Sequence, residues 1–221
     1  IKPEKLRKAV NVGGDIRALQ VHRETRSVRE GRFILMQASL EGGVTAGPIT
    51  AVASFGKPNR ENQIEAEFTR FYLLAGVTDV TQFRVGRFVP AFGINTSNHT
   101  VPTRQGLGFG MDSERDGLEA HWNGEQWHGA ISASESRLKS RVGERERGAS
   151  IQLEKFLADR HRVGLSLWNG DSERQKRWIA SAHGILGFTE HLYLLTETAF
   201  QSKRSKGAAS DRDQDDQPGH L

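Results

Sequence analysis

Tight turns and longer polar connections alternate along this chain. Each pair is separated by a strand-length stretch whose side chains alternate between apolar and polar. The short connections are Ala46-Gly47-Pro48, Thr78-Asp79, Asn123-Gly124-Glu125, Ala158-Asp159-Arg160 and Thr189-Glu190. The longer ones fall at 23–31, 56–63, 93–116, 137–145, 169–174 and 202–221. In an antiparallel meander this order puts every tight turn on one rim, and Asn-Gly is a strong hairpin signal. A closed membrane-spanning barrel has this plan, with tight turns at the periplasmic rim and longer loops outside.

Eleven strand-like segments follow, at 9–22, 32–45, 49–55, 64–76, 80–92, 117–122, 126–136, 146–157, 161–168, 175–187 and 191–201. Several reach the roughly 9–11 residues that a tilted strand needs to cross a bilayer. The period of two is the main evidence. Val10, Val12, Gly14, Ile16 and Ala18 oppose Asn11, Asp15 and Arg17; Ile34, Met36, Ala38 and Leu40 oppose Gln37, Ser39 and Glu41. Ile64, Ala66 and Phe68 oppose Glu65, Glu67 and Thr69, and Ala149, Ile151 and Leu153 oppose Ser150, Gln152 and Glu154. No helical period competes over a long window. Three basic residues, Arg70, Arg87 and Lys155, land on nominally apolar faces, as expected near a rim or after a bulge. The expected fold is an all-β, antiparallel up-and-down barrel forming a single domain over 1–221.

Composition agrees. The apolar fraction is 36%, low for a soluble core of this length. A barrel tolerates it, because half of each strand faces a polar interior. No apolar run approaches the roughly 20 residues of a spanning helix. Cys is absent, which excludes a disulfide framework and thiolate metal sites. The net charge of +4 is mixed in sign and gives no nucleic-acid signal.

One stretch is more specific: Phe83-Arg84-Val85-Gly86-Arg87-Phe88-Val89-Pro90-Ala91-Phe92-Gly93-Ile94, followed by a long loop and then Asp116-Gly117-Leu118-Glu119-Ala120. It resembles the strand-to-loop signature of Gram-negative outer-membrane porin-like β-barrels, including the phosphate-selective porins. The resemblance implies an outer-membrane location and a channel for transport of small hydrophilic solutes. In many porins one long loop folds inward, which is one of two readings open for this one. The chain has no Lys ladder of the kind that supports phosphate selectivity.

If the apolar faces meet lipid, the polar faces line a lumen. The expected pore-lining residues are Asp15, Arg17, Glu41, Glu65, Glu67, Arg84, Glu119, His121, Glu154, Arg177, His183 and Glu197, with Gln37 and Gln152 beside them. Charged rings can set ion preference, although mixed signs fit a general hydrophilic lumen or internal ion pairs equally. Within 93–116, His99, Arg104, Gly106, Gly108 and Gly110 are candidates for a constriction loop; the bland alternative is a surface loop. Trp122, Trp127, Phe156, Trp168, Trp178 and Tyr193 sit near strand ends, where interfacial aromatic girdles are expected.

Basic residues gather at the long-connection rim, where phosphates of outer-membrane lipid or lipopolysaccharide would meet them. An ordinary solvated surface explains them as well. Asp211, Asp213, Asp215 and Asp216 are spaced like the start of a calcium loop but lack its Gly and distal Glu. The eight His show neither HxH nor HExxH spacing, and no GxSxG elbow appears. No metal, cofactor or enzymatic activity is therefore expected. The competing functions are a non-channel structural or adhesive barrel with a plugged lumen, a barrel enzyme using His99 with Asp112 or Glu114, and a soluble β-sandwich.

Eleven is an odd count, and segment eleven lacks a closing aromatic. Single-chain bacterial barrels have even strand numbers. The expectation is thus a barrel of 12 or more strands, of which this chain carries most, truncated at the C-terminus alone or at the N-terminus as well.

Overall fold

The computed structural model describes residues 9–25, 29–57, 66–94, 106–110, 113–137, 145–158 and 160–206. Among them eleven strands form one sheet in chain order. They are β1 (Ala9–Glu24), β2 (Arg29–Ala46), β3 (Ile49–Lys57), β4 (Glu67–Gly76), β5 (Thr81–Phe88) and β6 (Arg115–Asn123). β7 (Trp127–Ser136), β8 (Glu146–Leu157), β9 (His161–Ser172), β10 (Gln175–Gly187) and β11 (Tyr193–Ser205) complete it. Each pairs antiparallel with its neighbours, so β1 and β11 run in the same direction and end the sheet.

The period of two becomes two faces of opposite chemistry. Val12, Ile16, Leu118, Ile131, Ile151 and Leu165 point outward and are exposed, Ile16 by 76%. The opposite face carries Ser132, Ser150, Glu119, Glu146, Ser166 and Arg177, all buried. Side chains buried on the polar face and bare on the apolar face invert a soluble protein. A contiguous apolar exterior marks contact with another apolar phase.

Two ladder shifts explain where the alternation slips. Between Arg17 and Ala18 the β1–β2 register jumps, pairing Ala18 with Leu35 and leaving Met36 as the extra residue. Leu35, rather than Ile34, therefore shares the outer face with Ala38 and Leu40. In β3–β4 the shift lies between Ser54 and Phe55, leaving Thr69 as the bulge and turning Arg70 to the inner face opposite Ser54.

The strands also run longer than the sequence pattern suggests, which revises the strict alternation of connections. β9 extends to Ser172 and β10 starts at Gln175, so the connection expected at 169–174 is a tight turn at 173–174. Ser172 Oγ closes it, accepting from the Gln175 amide at 3.1 Å. The β1–β2 connection shrinks to 25–28. β5 goes the other way and stops at Phe88 instead of 92. Pro90 has no amide hydrogen to donate to a ladder, so it favours release of the chain there.

Candidate functional site

Beyond Phe88 the chain turns onto the concave inner face and crosses it. The Ala91 amide donates to Glu119 Oε2 at 2.7 Å, and Ser150 Oγ donates to the Ala91 carbonyl at 3.1 Å. The Gly93 amide donates to Ser166 Oγ at 2.9 Å, while Gln152 Nε2 donates to the Gly93 carbonyl at 3.1 Å. One short segment is thereby tied to β6, β8 and β9. Its far end reaches β11: a Cβ on Gly93 would lie 1.9 Å from Glu197 Oε1, and Gly93 has φ 57°. Glycine is required on both counts, since the left-handed conformation disfavours side chains.

A second arm, Leu107 to Phe109, lies beside the first. Phe109 stacks on Phe92 with ring centres 4.3 Å apart and meets Trp168 edge-on at 5.3 Å. With Ile179 these rings form the buried apolar cluster of the interior. An ion triad anchors it. Glu146 accepts from Arg115 Nη2 at 2.6 Å and from Arg177 Nη2 at 2.8 Å, with a further bond from Arg177 Nε. Arg177 Nη1 also donates to the Leu107 carbonyl at 2.8 Å, and Arg115 lies over Trp168 at 4.4 Å. Glycines on adjacent strands make the space. A Cβ at Gly148 would lie 2.3 Å from the Trp168 ring, and one at Gly170 would lie 2.2 Å from Glu146 Oε1.

Glu65 aside, the structure places the residues expected to line a lumen on the inner face of the sheet and pairs most of them. Glu119, fully buried, bonds Arg84 and takes His121 Nε2 at 2.5 Å. Glu154 meets His183 at 2.9 Å and Arg162 at 3.3 Å, and Glu197 accepts from Ser181 at 2.9 Å. Glu67 pairs with Arg137 at 3.4 Å, Glu41 accepts from Ser54 at 3.2 Å, and Arg17 pairs with Asp15 at 2.9 Å. The two halves of the interior differ. Glu119 is sealed beneath the crossing segment and Arg177 is buried beside Leu107, whereas Asp15, Arg17 and Glu41, on β1 and β2, keep partial access to solvent.

Gly108 is buried with φ 76°, Gly110 is half-buried and Gly106 is exposed. Glu65, His99, Arg104, Asp112 and the carboxylates at 211–216 lie outside the described residues.

Three aromatic expectations need correction. Trp168 is not an interfacial ring: even-numbered positions of β9 face inward, and it is only 1% exposed. Phe156 also faces inward, edge-on to His128 at 4.6 Å. Tyr193 pairs with Gly187 on the inner-face register of Glu197. Trp122, Trp127 and Trp178 do point outward and are exposed.

The sequence reading missed the floor on which the crossing segment rests. Ser132, Ser150, Ser166 and Ser181 are buried, and Ser132 and Ser150 bond each other at 2.6 Å. A signal existed: small polar residues recur at inward positions of β7–β10, whereas Tyr72, Leu74 and Val52 occupy such positions on β3 and β4.

No protein-family model matches the chain, nor does any curated protein. Among solved structures, it is similar to OmpTdeltaL8, a loop L8 deletion mutant of OmpT, an outer membrane protein of Vibrio cholerae. The two are 12% identical, the match covers 90% of this chain and 83% of that chain, and the TM-score is 0.54. The chain therefore has the fold of an outer-membrane β-barrel, and its bare apolar belt places it in a bacterial outer membrane. The same finding corrects the expectation that the chain is no enzyme. At this identity the OmpT likeness carries the fold alone, and a barrel fold does not decide between catalysis and passage. The exclusion of enzymatic activity is withdrawn.

Proposed function

We propose that this barrel is a passive channel for small hydrophilic solutes, narrowed on one side by the segment 89–94. The observation that carries the reading is the crossing itself: Ala91 and Gly93 are held by Glu119, Ser150, Gln152 and Ser166 across the concave face. The segment leaves the inner faces of β1 and β2 solvated, with Asp15, Arg17 and Glu41 facing the passage. Acids and bases are mostly paired along the described interior, which favours general hydrophilic solutes over selection of phosphate.

The test is conductance of the purified, folded full chain in planar bilayers, with Glu119→Ala as the comparison. Stepwise currents are expected, and the variant, which frees the Ala91 amide, should show larger steps and a higher solute-size limit in liposome swelling. Insertion without any current would remove the channel reading. The second reading, a barrel with a plugged lumen, is favoured by the cluster of Phe92, Phe109, Trp168 and Ile179 on its buried ion triad. It predicts silence in the same bilayers.

A further inference from the structure

On the outer face of β9, β10 and β11 lies an open groove of about 470 Å³. Ala180 and Ala182 form its base, between Leu165 and Leu167 on one side and Thr198 and Phe200 on the other. It exists because β10 carries small residues at consecutive outward positions where β7 and β8 carry Ile131, Ile151 and Leu153. Its volume lies within the roughly 300–1,000 Å³ of ligand pockets. At its upper end Trp178 and Phe200 stand with ring centres 5.3 Å apart, at the level expected of an interfacial girdle.

One outward position beyond this aromatic pair the chemistry changes sign. Lys176 and Arg204 are direct cross-strand partners, and Lys206 follows on β11's outward register. The carboxylate in contact with them is Asp171, which binds Lys206 and lies 3.8 Å from Lys176 Nζ. The Arg204 side chain has no hydrogen bond or ion pair to another described residue. Three cations, with Asp171 the carboxylate they contact among the described residues, thus stand at the rim of the longer connections, directly above an apolar groove.

We propose that this surface binds a phosphorylated lipid of the outer leaflet, of the lipid A type. An acyl chain lies over Ala180 and Ala182, and phosphate oxygens accept from Lys176, Arg204 and Lys206. Charge selects the occupant. A headgroup with two phosphates and no ammonium gains more from an excess of fixed cations than a zwitterionic phospholipid does. The inference rests on the membrane placement of the outer face and not on the channel reading, so a barrel silent in bilayers still tests it.

The experiment is native mass spectrometry of the folded full chain in detergent, titrated separately with lipid A, with phosphatidylethanolamine and with inorganic phosphate. The wild type should retain lipid A in preference to the other two. Lys176→Glu with Arg204→Glu, and separately Ala182→Trp, should each weaken retention about tenfold or more. Lys155→Glu, at the opposite rim, should leave it unchanged. If either variant fails to fold, as judged by heat-modifiable gel mobility, Arg204→Gln and Ala182→Leu take its place with a smaller effect of the same sign. Equal retention of both lipids would overturn the proposal. So would indifference to groove filling, the mark of phosphate contact alone, or a dimer that Ala182→Trp abolishes, the mark of a second copy in the groove.

Discussion

Three basic residues fall where alternation puts an apolar side chain, and each is accommodated differently. Arg70 follows the Thr69 bulge and turns inward. Arg87 stays outward but is neutralised by Asp116, with Nε at 2.9 Å and the Phe71 ring 4.6 Å beneath it. Lys155 holds its Nζ 5.1 Å from the centre of the Trp127 ring near the tight-turn rim, where the ring face attracts the ammonium. None of this was readable from alternation, which reports parity and not partners. Trp168 makes the same point: a Trp at a strand end reads as an interfacial ring until Gly148 and Gly170 are seen to clear its space. Trp168→Ala is expected to cost about 3–5 kcal/mol, as loss of a buried ring does, and Trp178→Ala clearly less. Urea titration in micelles followed by tryptophan fluorescence distinguishes them. Glu146→Ala strands two buried guanidiniums and should also cost about 3–5 kcal/mol; an unchanged midpoint would show that Arg115 and Arg177 are hydrated.

The crossing segment shows how an element forms by failing to continue its neighbour. Phe83 to Phe92 carries the side-chain pattern of one strand, but the ladder ends at Phe88, and Val89 to Ile94 exchanges strand bonds for side-chain bonds from the barrel wall. Gly93 is its critical residue. Gly93→Ala meets Glu197 Oε1 and also bears a left-handed conformation costing about 1–2 kcal/mol. The variant should loosen the segment, seen as limited-proteolysis cleavage between 89 and 94 in folded protein. Adding Glu197→Ala should restore part of the protection, the backbone term remaining. Full restoration would mean that the clash alone matters, and no change in the single variant would mean that the segment is not seated. That the long connection at 93–116 could fold inward was one of two expectations, beside a surface loop. Where the segment 89–94 is tied depended on Glu119, Ser150, Gln152 and Ser166, up to 73 positions away in the chain.

For the molecule as a whole, the apolar exterior and the wet interior predict opposite tolerances. Ile131→Arg, mid-belt on β7, should destabilise the protein by about 2–4 kcal/mol in lipid. Glu41→Arg, inward and exposed, should be nearly neutral for folding while altering ion preference; reversible unfolding in vesicles and reversal potentials measure the two effects. Equal costs at both positions would mean that the faces are assigned the wrong way round. Strand number, antiparallel order and most inward positions were legible in the chain, because a period of two and turn residues act over a few neighbours. The two bulges, the tight turn at 173–174 and the inward Trp168 were not, because a register shift or a cleared space depends on the partner strand. The sequence by itself determined a two-faced sheet with an apolar exterior. Only the tertiary structure decided which half of the interior is filled. Curvature brings β6, β8, β9 and β11 around one segment, and hydrogen bonds at that reach have no signature in local spacing.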